Sequence, residues 1–74
     1  MAVTEKEAYG ILSKPYVRVA EVGQLLGYTN KVASRLLRER EVRKVHRGCY
    51  VTADFRKKFD LEAYWKQVSR YADK

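Results

Sequence analysis

Apolar residues recur along the chain in four segments with helical spacing and two with β character, and these segments set the expected elements. Thr4 followed three residues later by Glu7 has the form of a capping box, and Ala8, Ile11 and Leu12 then share one helical face, so a first helix is predicted over about 4–13. Pro15 ends it, because a proline drives the preceding residue out of the helical region, and Tyr16-Val-Arg-Val19 reads as a short strand. From Ala20 to Leu26 the apolar positions Val22, Leu25 and Leu26 return to helical spacing, and Gly27 stands where a terminating glycine is expected. Thr29 is placed to cap a third helix, Asn30 to Arg40, whose buried stripe is Ala33, Leu36 and Leu37. Two short helices therefore meet across Gly27-Tyr28-Thr29.

Val42 to Thr52 changes character: Val42, Val45, Tyr50 and Val51 flank His46-Arg47-Gly48, which predicts a hairpin with its tip at Arg47-Gly48. After Phe55, the run Arg56-Lys57-Lys58 reads as a solvated connection. Asp60 is then placed to cap a last helix on which Leu61, Tyr64, Trp65, Val68, Tyr71 and Ala72 share a face. The expected fold is mainly α with a small β-hairpin, a single domain over 1–74 in the order α-β-α-α-β-β-α. Within it, a helix-turn-helix occupies about 20–41, the hairpin about 42–52 and the C-terminal helix about 60–72. There is no repeat, linker or low-complexity stretch.

Composition narrows the function classes. A chain of 74 residues holds one modest core and no deep enzyme cleft, and 46% hydrophobic residues put it among folded rather than disordered chains. The net charge of +7 favours a polyanionic partner, and residues 30–50 concentrate it, with seven Lys or Arg against two Glu. The single cysteine, Cys49, excludes an intrachain disulfide and agrees with a reducing compartment. No run reaches the roughly 18 apolar residues that span a bilayer, and the first residues lack the apolar core of a signal peptide, so a cytoplasmic, nucleoid-associated location is expected. His46 and Cys49 are too few to hold zinc, and as a nucleophile pair they lack an orienting third group. No metal, cofactor, small-molecule substrate or catalysis is therefore expected.

At about 100° per residue, Lys31, Arg35 and Arg38 fall opposite the apolar stripe of the third helix. An α-helix fits the major groove of duplex DNA, where Arg and Lys donate to guanine edges and Asn pairs with adenine. Asn30, Lys31, Ser34 and Arg35, with the cap Thr29, are expected near bases, and Arg38 near phosphate. Arg43, Lys44, His46 and Arg47 stand on or beside the hairpin, where they would meet phosphates or the minor groove; otherwise they form a charged edge that blocks sheet-to-sheet association. Arg56, Lys57 and Lys58 either add phosphate contacts or are simply solvated. Tyr28 either plugs the helix pair or touches the DNA backbone, while the aromatics as a group, Tyr64, Trp65 and Tyr71 above all, are read as core. The partner is expected to be double-stranded DNA, with a homodimer on a two-fold site or a cooperative array supplying affinity. The competing reading is a protein-interaction module that docks on an acidic partner.

The segments Ala20-Glu-Val-Gly-Gln-Leu-Leu-Gly-Tyr-Thr29, then Ala33 and Leu36-Leu37, then Arg47-Gly-Cys-Tyr-Val-Thr52 resemble the winged helix-turn-helix of MerR-type regulators and small excisionases over about 18–65. The resemblance implies a sequence-specific transcriptional regulator or an accessory recombination factor. The chain departs from that pattern in two places. Gly23 stands where alanine is usual, which weakens the helix by up to about 1 kcal/mol but permits close helix contact. A helix and a strand also precede the motif, which favours a general winged-helix regulator.

Overall fold

The computed structural model describes residues 3–73; residues 1, 2 and 74, the ends of the expected domain, lie outside the described residues. The first helix, α1, runs Glu5–Leu12 behind the expected capping box. The Glu7 N–H donates to Thr4 Oγ1 at 3.2 Å, and the Thr4 N–H donates to Glu7 Oε1 at 3.4 Å. Thr4→Ala removes one acceptor of this exchange and is expected to cost about 1 kcal/mol, read as a shift of the urea midpoint.

Strand β1 is Tyr16–Arg18 and helix α2 is Val19–Leu26, so Val19, expected at the end of the strand, begins the helix instead. The reason is local and tertiary together. Glu21 Oε1 accepts from the Arg18 N–H at 3.0 Å, closing the first turn, and the Val19 N–H donates to the Gly48 carbonyl at 3.2 Å. Gly27 ends α2 at φ 78°, the left-handed conformation expected of it. Helix α3 is Asn30–Glu39, with Thr29 Oγ1 accepting from the Val32 N–H at 3.3 Å.

Strands β2 (Lys44–His46) and β3 (Cys49–Val51) form the expected hairpin around Arg47-Gly48, with Gly48 at φ 77°. β1 joins it to make a three-stranded antiparallel sheet in the order β1-β3-β2. Its register pairs Val17 with Tyr50 and Arg18 with Cys49. Val17 and Tyr50 are buried, whereas Tyr16 and Arg18 on the alternate positions face solvent. A register shift between Lys44 and His46 interrupts the edge strand, and all three of its residues are exposed. Val45, expected among the hairpin's apolar positions, is therefore exposed.

The largest departure lies past the hairpin. Residues read as the end of the hairpin and a solvated connection form a helix, α4, Thr52–Lys58. It buries Thr52 and Phe55, and the Phe55 ring meets Phe59 at 4.8 Å between centroids. Asp60 does not cap the last helix; it adopts φ 55° and closes α4. The Leu61 N–H donates to the Arg56 carbonyl at 2.8 Å and the Asp60 N–H to the Lys57 carbonyl at 3.3 Å, the paired bonds of a Schellman ending. α3 ends in the same way: Glu41 at φ 55°, with the Val42 N–H donating to Leu37 and the Glu41 N–H to Arg38, both at 3.1 Å.

Helix α5 is Glu62–Val68, and Tyr71 and Ala72 follow it in a 3₁₀ turn over Ser69–Asp73, with Ala72 exposed rather than on a buried face. α5 packs on α1, where Trp65 stacks on Tyr9 at 5.8 Å with the rings parallel to 1°. The fold is thus mainly helical, five α-helices with a small sheet, among the described residues. Its core runs from Ala8, Leu12 and Val17 through Val22, Leu25 and Leu37 to Phe55 and Val68. No helix of the described residues is long and apolar enough to cross a membrane.

Candidate nucleic-acid interface

α3 buries Ala33 and Leu37 and turns Lys31, Arg35 and Arg38 to solvent on the opposite side. Leu36 and Val32 are half-buried and border the packed face, as does Ser34, which is therefore a flank residue. The side chains of Lys31 and Arg38 have no ion-pair or hydrogen-bond partner among the described residues. Arg35 lies 3.7 Å from Glu39 one turn on, with both side chains mostly exposed, an ion pair that ordinary salt screens.

The start of α3 differs from a simple row of contact residues. The Thr29 hydroxyl oxygen is already an acceptor for the helix, so it positions α3. The Asn30 Oδ1 lies 3.7 Å from where a Cβ on Gly23 would stand, against α2. Tyr28 is 47% exposed, so it does not plug the helix pair and departs from the expectation that the aromatics as a group are core. Its backbone is fixed on α2. The Tyr28 N–H donates to the Gly23 carbonyl at 2.8 Å, and a Cβ on Gly23 would come within 2.6 Å of the Tyr28 carbonyl oxygen. The absence of a side chain at Gly23 thus lets the turn close onto the helix.

Arg43, Lys44, His46 and Arg47 are all exposed. Asp54 of α4 anchors the near end of the hairpin, its Oδ2 accepting from the Arg43 N–H at 2.7 Å while the Arg43 side chain stays in solvent. The far end is tied to α2 by the Val19–Gly48 hydrogen bond. No ion pair or hydrogen bond among the described residues joins the α3 cations to the hairpin cations; they belong to one frame through the backbone that runs from Leu37 through Val42 into β2. The β1–β3 register brings in a residue that sequence spacing missed. Arg18, exposed and paired with Cys49, stands next to the hairpin tip carrying Arg47. Strand pairing across more than 30 positions leaves no local signal, so only the sheet reveals it.

The other basic cluster serves the fold. The Arg56 guanidinium sits 4.8 Å from the Trp65 ring and donates to the Leu12 carbonyl at 3.3 Å. Lys58 donates to the Glu41 carbonyl at 3.1 Å and lies 3.7 Å from Asp54. Arg40, just past α3, covers the Phe59 ring at 4.5 Å. Lys57 alone of the 56–58 run is exposed without a partner among the described residues. His46 and Cys49 face each other across the hairpin, and no group of three metal-ligating side chains occurs among the described residues. No protein-family model, curated protein or solved structure matches the chain.

Proposed function

We propose that the chain is a duplex-DNA-binding domain of winged helix-turn-helix kind, acting as a sequence-specific transcriptional regulator or an accessory recombination factor. The observation that carries this reading is the coincidence on α3: Lys31, Arg35 and Arg38 are turned outward by the same packing that buries Ala33 and Leu37. In this reading α3 enters the major groove, with Lys31 and Arg35 at base edges and Arg38 on phosphate, and the hairpin acts as the wing. Arg43, Lys44, His46, Arg47 and the newly placed Arg18 meet neighbouring phosphates. A second copy on a two-fold site, or neighbours along the duplex, would supply the area that one module lacks.

Titration of a labelled duplex at several salt concentrations tests it. Four to six phosphate contacts give a log–log slope of roughly −4 to −5. Arg35→Ala is expected to lose about 1–3 kcal/mol of binding and to relax preference at one base pair. A flat salt response, or unchanged affinity in both Arg35→Ala and Lys31→Ala, would sink the proposal and leave docking on an acidic protein as the better account of the same surface.

A further inference from the structure

Among the described residues three large apolar or aromatic side chains are exposed, and one of them, Tyr28, adjoins the basic helix: it immediately precedes Thr29, the cap of α3. Its exposure is not looseness of the chain. The Tyr28 N–H is bonded to α2 and its carbonyl packs where Gly23 has no side chain, so the backbone beneath the phenol is held on both sides. Asn30, on the other side of the cap, is exposed as well, with its Oδ1 near the Gly23 position of α2. The result is an exposed phenol on a fixed stretch of backbone, presented beside a cationic helix face.

Resting on the duplex-binding reading, we infer that Tyr28 is a further DNA-contacting residue, its hydroxyl donating a hydrogen bond to a non-bridging phosphate oxygen at the rim of the groove that α3 enters. Phosphate oxygens of duplex DNA take such bonds from neutral side chains as well as from cations. A neutral donor contributes affinity without displacing a counterion. This distinguishes Tyr28 from its neighbours: its loss lowers affinity at every salt concentration and leaves the salt slope alone, whereas loss of a phosphate-contacting lysine or arginine reduces the slope by about 1.

The test compares the parent chain with Tyr28→Phe and Tyr28→Ala in duplex titrations across salt, with thermal melts to show that both variants fold. Tyr28→Phe is expected to bind several-fold more weakly and Tyr28→Ala about tenfold, each with the parent's slope. Nitration of the protein with and without duplex, read by mass spectrometry, gives a second measure. Duplex should protect Tyr28, with exposed Tyr16 on the sheet as the internal reference. Parent-like affinity in Tyr28→Phe, a reduced slope in either variant, or equal nitration of Tyr28 with and without DNA overturns the inference alone. Failure of the parent chain to bind duplex takes down the duplex reading and this inference together.

Discussion

Phe55→Ala is expected to remove about 3–5 kcal/mol of stability, the usual cost of emptying a fully buried phenyl site. Phe55 has no exposed surface and is the apolar anchor of α4. Its ring packs on Phe59, which in turn lies under Arg40 at the end of α3, so the cavity would open where α4 meets the end of α3. A domain of this length has a total stability of only about 4–11 kcal/mol, so one such cavity consumes much of it. Urea denaturation followed by far-UV circular dichroism measures the loss. A cost below about 1 kcal/mol would mean that α4 does not belong to the cooperative core.

Gly23→Ala should come next, with a net loss of about 1–3 kcal/mol and, for a domain this small, a melting temperature lowered by roughly 4–24 °C. Two effects oppose each other. Alanine improves the helix propensity of α2 by about 1 kcal/mol. Against that, its methyl would stand 2.6 Å from a backbone oxygen, a distance that no side-chain rotation can relieve. The steric effect wins because the obstructing atom belongs to the turn itself, which is bonded to the Gly23 carbonyl through both Gly27 and Tyr28. Relief requires the turn to lift off α2 and carry the start of α3 with it, so duplex affinity should fall along with stability. A higher melting temperature in Gly23→Ala would show that propensity decides the outcome at this position.

What could be read from residue order was whatever the chain states locally. The Thr4 capping box, Gly27 as a terminator, Thr29 as a cap, Ala33 and Leu37 of the α3 stripe and the glycine turn of the hairpin all carry their signals within a few positions and lie where they were expected, while Leu36 of that stripe is only half-buried. α4 was hidden because the run Arg56-Lys57-Lys58 looks solvated, while two of those three side chains are engaged with Trp65, Leu12, Glu41 and Asp54. A fainter signal was present: Thr52, Phe55 and Phe59 are spaced as one helical face, with Asp54 in the first turn and the cations in the last. Asp60 misled because an aspartate before an apolar run suits a cap, yet aspartate also tolerates the left-handed conformation that closes a helix. In the candidate site, the outward face of α3 followed from periodicity alone. The exposure of Tyr28 and the arrival of Arg18 beside Arg47 depend on tertiary contacts and strand pairing, which no window of neighbouring residues encodes.

The hydrogen bond from the Val19 N–H to the Gly48 carbonyl bears on the energetics of association. A hairpin joined only at its base would sway, and any surface it met would have to bear the entropy of stopping it. Here the tip is fastened to α2, one strand is paired along both edges, and the base is held by Asp54. Folding has already ordered this arm, so little of its conformational freedom remains to be lost when a partner arrives.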